Sequence, residues 1–287
     1  GVTSGQYGTA ATYQVIVTGS EQLDAAPSLT LAGGSITTAG AGSGAGSKTI
    51  WTYTFTPTDN DEAVTIDVAI GDITDLAGND NTAAATQFAF THDKTAPTVV
   101  MTSTSVNTGG SHNGALTMIF TFSETVTGIS DSDFTFTNCD KSAYSAQSGT
   151  VYHQVCTPDT PGETITVGAP ASVGTDAAGN NNAVGTDFTF TYETTAPTVT
   201  ITSADVNTGG SHNGATTMIF TFSEEMTGIA DGDFTFTNCA AGTFSVETAN
   251  TVFHQVCTPS TNGATVTVAV AASKGTDPAG NNNAAAT

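Results

Sequence analysis

The sequence predicts an all-β protein built as a row of three small sandwich domains, and three observations predict it. The first is self-similarity. "TDLAGNDN" at 74–81 returns as "TDAAGNNN" at 175–182 and "TDPAGNNN" at 276–283, placing Asp75, Asp176 and Asp277 at a constant interval of about 100 residues. The second is the alternation of apolar and polar residues over short runs, the period of a half-buried strand. The third is the punctuation of those runs by clusters of Gly, Asn and Asp, with no helical periodicity of useful length.

The second and third units match closely. "NTGGSHNGA" stands at 107–115 and 207–215, "TMIFTFSE" at 117–124 and 217–224, "DFTFTNC" at 133–139 and 233–239, and "HQVCTP" at 153–158 and 254–259. The first unit is a more distant copy, with "TYQVIVTGSE" (12–21) in the place of "MIFTFSE" and "TIWTYTFTP" (49–57) in the place of "TVYHQVCTP". Phe134 and Phe136 alternate with Thr135 and Thr137; Val64, Ile66, Val68 and Ile70 alternate likewise, as do Phe188, Phe190 and Tyr192. One face of each such strand packs and the other is wet. Trp51 alternates with Tyr53 and Phe55, which puts the lone Trp on a core face, and "GGSHNG" reads as a turn. Short strands of Val, Thr and Phe between turn clusters predict a tandem array of Ig-like β-sandwich domains.

The units are placed at 1–94, 95–194 and 195–287. Their joints, "HDKTAPT" (92–98) and "YETTAPT" (192–198), each contain Ala-Pro, which holds the Ala extended and stiffens the turn. Neighbouring domains are therefore expected to have a limited range of angles. The first unit has no counterpart of "TVVMTSTS" (98–105), and the third none of "DFTFTY" (187–192). Two readings fit: a slice of a longer array, or a protomer whose end domains are completed by strands from neighbouring chains.

Composition narrows the partners. With 26 acidic residues against four Lys and no Arg, the formal charge is −22, which excludes an electrostatic grip on nucleic acid or anionic lipid. No run approaches 18 apolar residues, so membrane insertion is not expected. N-x-S/T acceptors are absent, so N-glycosylation is not expected either. A surface of this charge repels itself unless cations intervene.

Four cysteines stand at 139, 156, 239 and 257, and the first unit carries Gly34 and Phe55 at approximately the aligned positions. Loss of both together argues for pairing within a domain, Cys139 with Cys156 and Cys239 with Cys257. Each staple should stabilise its domain by about 3 kcal/mol and implies an oxidising, extracellular compartment. Zinc is the rival, through His153 with Cys156 and His254 with Cys257. On a strand, however, such positions point to opposite faces, and only the distant His112 or His212 could complete the set.

The D-x-x-G-N loop falls between the last two strands of each unit. Gly179 permits positive φ, which would turn Asp176, Asn180 and nearby carbonyls toward one point and give calcium the hard oxygen ligands it requires. The same holds for Asp75 with Asn79 and Asp277 with Asn281. Further charge could come from the joints, at Asp93 and Glu193, or from a weaker second cluster: Glu124, Asp131 and Asp133, repeated as Glu224, Asp231 and Asp233. The bland reading also stands, since Asx side chains cap their own turns without metal.

The "DKTAPTV", "FTFSETVTGISDSDFTFTN", "GTDAAGNNN" and "FTFTYETTAPTV" segments together resemble the bacterial Ig-like repeats of giant surface adhesins and related extracellular proteins. The resemblance covers units two and three well and unit one loosely; the cysteine pairs depart from its commonest pattern. It implies a sandwich array that extends a binding tip from a surface, often rigidified by calcium at or near the joints. The implied ligands are Asp75, Asp176 and Asp277 with their Asn partners, and Asp93 and Glu193.

No nucleophile elbow, H-E-x-x-H or phosphate loop occurs, and four of the five His form repeat-equivalent pairs, which suits architecture better than one active site. No catalysis is expected. The leading expectation is a calcium- and disulfide-stiffened spacer or adhesin stalk of a long cell-surface or secreted protein, partnered by neighbouring repeats. A filament protomer is the alternative. A carbohydrate- or surface-binding module is the third, and exposed aromatics would be its mark.

Overall fold

The computed structural model describes residues 3–43 (37–43 by backbone alone), 49–58, 60, 62–247 and 249–286. In the first unit the strands are β1 Tyr7–Gly8, β2 Tyr13–Thr18, β3 Thr30–Ala32, β4 Gly34–Ser43, β5 Ile50–Pro57, β6 Glu62–Asp67 and β7 Phe88–His92. The second has β8 Val99–Ser103, β9 Ser111–His112, β10 Leu116–Phe122, β11 Thr135–Thr137, β12 Cys139–Ala146, β13 Val151–Pro158, β14 Thr164–Gly168 and β15 Phe188–Tyr192. The third has β16 Val199–Ser203, β17 Thr216–Phe222, β18 Phe234–Thr237, β19 Cys239–Val246, β20 Val252–Pro259 and β21 Thr267–Val270. Among the described residues the one helical element is a single 3-10 turn at Asp231–Asp233, and no helix is long and apolar enough to cross a membrane.

The second unit shows how the period-2 patterns make the layers. Leu116, Met118, Phe120 and Phe122 of β10 point inward, between outward-facing Thr117, Ile119 and Thr121. β10 pairs antiparallel with β8 and β13, setting Phe120 opposite Met101 and Tyr152, in a sheet of order β12-β13-β10-β8. The facing sheet has order β11-β14-β15-β9 and contributes Ile165, Val167, Phe188 and Phe190 to the same core. Phe120 stacks on Phe134 at 3.6 Å between centroids, and full burial of one such ring stabilises by about 2 kcal/mol. The third unit repeats the plan, with sheets β16-β17-β20-β19 and β18-β21 and Phe220 stacked on Phe234. The first has sheets β2-β5-β4 and β1-β7-β6-β3, and its Trp51, Tyr53 and Phe55 are all buried.

Two local expectations fail. "GGSHNG" is more than a turn: Ser111–His112 run parallel to β15, next to backbone bonds from Gly109 N to Thr189 O (2.7 Å) and Thr191 N to Gly110 O (2.9 Å). The inward alternation of Val64, Ile66 and Val68 does not reach Ile70, which is 65% exposed. There the chain turns at Gly71, with φ of +86°, and Asp72 Oδ2 accepts the Ala69 N–H.

Both disulfides form within their domains, Cys139–Cys156 and Cys239–Cys257, each joining adjacent strands with Cα atoms 5.7 Å apart. In the first unit Gly34 and Phe55 hold these places. The Phe55 ring fills the space so fully that a Cβ on Gly34 would come within 2.2 Å of its Cζ.

Candidate metal centres at the joints

The run of Asn after each recurring Asp of the repeat divides its work between the site and the scaffold. Asp176 Oδ1 accepts the N–H groups of Ala178 and Asn180, both at 2.8 Å, and its Oδ2 accepts Asn180 Nδ2 at 2.9 Å. Gly179 holds φ at +92°, the left-handed value that closes this loop. Asn181 bridges back to Thr175, and Thr175 exchanges backbone bonds with Thr127 after β10. Asn182 is the inner brace: its Oδ1 accepts Val173 N and Gly174 N, and its Nδ2 donates to Pro170 O and Ala183 O. Asn283 makes the equivalent four bonds, and Asn81 makes four of the same kind with partners slightly shifted, accepting Gly71 N and Ile73 N and donating to Ala69 O and Ala83 O. Sequence reasoning missed the brace; only the third position of each Asn run could have signalled it.

This scaffold delivers Asp176, 5% exposed, to the end of the preceding unit. There Asp93 donates its N–H to Gly8 O and accepts the Thr95 N–H on Oδ1 at 2.8 Å. Asn180 Nδ2 reaches across to Asp93 O at 3.2 Å. Glu124, at the end of β10, completes the group: Asp93, Glu124 and Asp176 bring carboxylate oxygens within 4.8 Å of one another. At the second joint Glu193, Glu224 and Asp277 do the same. Asn281 Nδ2 bonds both Glu193 O and its Oε2 there, and Asn113 of the second unit donates its N–H to Ala279 O of the third. Each triad thus takes one carboxylate from the joint, one from a strand end and one from the Asx loop.

Crowding leaves its electrostatic mark. Burial raises the Glu224 pKa, and the negative charges of Asp277 and Glu193 raise it further. Asp75 has only its own loop: the Asn79 side chain, then the backbone N–H of Asn79, lower its pKa. It shares a shallow cleft with Glu21, and no joint carboxylate stands beside them among the described residues.

The other acidic residues lie apart from the triads. Asp133 Oδ2 caps the turn before β11 by accepting Ser130 N and Oγ, and Asp233 Oδ2 accepts Ala230 N in the same way. Asp131 offers its backbone oxygen to Lys141 Nζ at 2.7 Å, and Asp231 Oδ1 accepts Gln255 Nε2. Of the second acidic cluster in the sequence, only Glu124 and Glu224 therefore meet the Asx loops.

The chain matches the model of the bacterial Ig-like domain over residues 3–92, 93–192 and 193–287. It belongs to that family. Solved structures similar to this bacterial Ig-like array include the Escherichia coli adhesin FdeC (12% identity, 88% of this chain and 85% of that one, TM-score 0.39). Others are a marsupial T cell receptor (7%, 94% and 95%, 0.33) and the I9–I11 tandem of titin (8%, 93% and 90%, 0.28). No curated protein matches its sequence.

Proposed function

We propose that this chain is a non-catalytic, extracellular spacer or adhesin stalk whose joints are stiffened by calcium. The observation that carries the reading is the composition of each triad: a joint carboxylate meets two carboxylates of the unit that follows it. Calcium bonds its oxygens at about 2.4 Å, so two ligands on opposite sides of one ion stand about 4.8 Å apart. The carboxylates already satisfy that limit. Asn180 and Asn281 now place amide N–H groups between them; turned over, the same amides would offer oxygen instead. An ion here would remove like-charge repulsion and fix the angle between units.

The family, the disulfides and the acidic surface all suit an extracellular setting. The carbohydrate-binding reading has less behind it, because Tyr7 is the one largely exposed aromatic among the described Phe, Tyr and Trp residues.

The test is a thermal melt with millimolar calcium or with chelator, disulfides intact. A ligand that binds only the folded state raises its stability. Several degrees of calcium-dependent stabilisation, reduced in Asp176→Ala and Asp277→Ala, is the expected result. No shift in the unaltered chain would leave the loops as metal-free turns.

A further inference from the structure

The chain that seats the second joint leaves β9 through Asn113 and Gly114, and its neighbours tie it to that joint. His112 O accepts the N–H of Glu193 at 3.1 Å, and Asn113 N donates to Ala279 O of the third unit at 3.1 Å. The Asn113 side chain lies against Gly280: a Cβ there would meet Asn113 Nδ2 at 3.3 Å and Oδ1 at 3.5 Å. Ala279 and Gly280 belong to the loop that Asp277 closes, its Oδ1 accepting Asn281 N and its Oδ2 Asn281 Nδ2.

An Asn followed by Gly has a reaction of its own. The backbone nitrogen of the Gly can attack the Asn side-chain amide, because no Cβ hinders the approach. Gly114 meets the local conditions. A Cβ on it would find nothing within 4 Å, and its N–H makes no backbone hydrogen bond among the described residues. Both residues are half-buried in a bend outside any strand.

We propose that Asn113–Gly114 is a site of spontaneous deamidation and that the second joint controls its rate. Gly114 N gives its proton to solvent base and bonds to Asn113 Cγ. The Cγ–Nδ2 bond breaks and ammonia leaves, which closes a cyclic imide. Water then opens the imide at either carbonyl, and residue 113 becomes Asp or iso-Asp. One water is consumed and one ammonia released, with no change of oxidation state. The attack requires the amide to swing from Gly280 toward Gly114. Docking of Ala279 and Gly280 opposes that swing, so the reaction runs from the locally opened joint. Its product adds a negative charge beside the loop that already brings Asp277 to Glu193 and Glu224. Like charges repel, so each conversion favours the open joint and cannot be reversed by closing it.

The test is site-resolved mass spectrometry of the full chain in mildly alkaline buffer, beside a synthetic peptide of residues 109–117. Chelator in every arm separates the outcome from the calcium reading of the joints. Asn262–Gly263, in the exposed turn between β20 and β21, is the reference within the chain. Asn113 should convert to Asp and iso-Asp about ten-fold more slowly in the folded chain than in the peptide, equivalent to about 1.4 kcal/mol of opening. Gly114→Ala should suppress conversion in both. Asp277→Ala frees the loop that carries Ala279 and Gly280. It should bring the Asn113 rate toward that of the peptide and leave Asn262 unchanged, with amide protection in β17 and β20 showing that the third unit stays folded. Asn113→Asp should speed hydrogen exchange at Gly280 and Asn281. No conversion of Asn113 in the time the peptide converts fully overturns the site. Conversion as fast as in the peptide, or a rate untouched by Asp277→Ala, overturns control by the joint.

Discussion

A methyl group at Gly34 has nowhere to go, because the Phe55 ring occupies the volume that a disulfide takes in the other units. Gly34→Ala should therefore cost about 1–3 kcal/mol through overpacking, read from the denaturant midpoint of the first unit. The Asn runs separate two roles that look alike in sequence. Asn182→Ala orphans buried backbone groups and should destabilise the second unit by about 2 kcal/mol or more, equally with and without calcium. Asn180→Ala should instead act chiefly on the calcium-dependent part. A melt of each variant in both buffers makes the comparison. Charge gives a third test. The pKa of Glu224 is raised in the folded state, so its contribution is fully present below the ordinary Glu range and is lost as pH rises through its folded value. Calcium-free protein should consequently gain stability at the second joint as pH falls through that window. Glu224→Gln should raise the neutral-pH melting temperature in chelator and abolish that gain. The sequence exposed Asp176, Asn180 and the joint acids as candidates. It could not show which acids meet, because Asp93, Glu124 and Asp176 are far apart along the chain and join only through the packing of separate elements.

At the scale of elements, each disulfide fastens neighbouring strands, β12 to β13 and β19 to β20, while in the first unit the same place is filled by Phe55, packed with Tyr13, Val64, Ile66 and Phe90. Reduction should lower the stability of the second and third units by about 3 kcal/mol each and leave the first unchanged. Differential scanning calorimetry with and without reductant, compared with Cys139→Ala/Cys156→Ala protein, would resolve the transitions. The cysteine pairing was legible because both residues vanish together from one unit. The long strands were legible from alternation, as in "MIFTF". The parallel pairing of Ser111–His112 was not, since two residues carry no period and only the approach of β15 gives them a ladder. Ile70 misled for the opposite reason: an apolar residue in phase with a strand had already entered the turn at Gly71.

For the whole molecule, the constant interval of the Asx loops announced the array, and the model of the family matches in three consecutive stretches. What periodicity could not reveal is that the loop of one unit reaches back to the end of the unit before it. If ions hold those contacts, small-angle scattering should show a longer, narrower distance distribution in calcium than in chelator, and the difference should shrink in Asp93→Asn/Glu193→Gln protein. An unchanged distribution would mean that the joints are equally rigid without ions. The staples have a further consequence when the ends are drawn apart. Cys139 and Cys156 are separated by 17 residues, yet their Cα atoms stay 5.7 Å apart. An unfolded second or third unit therefore keeps a closed loop that would otherwise release about 60 Å of contour length. The first unit has no such limit, so a stretched chain yields in unequal steps, and the domain without cysteines gives the most slack.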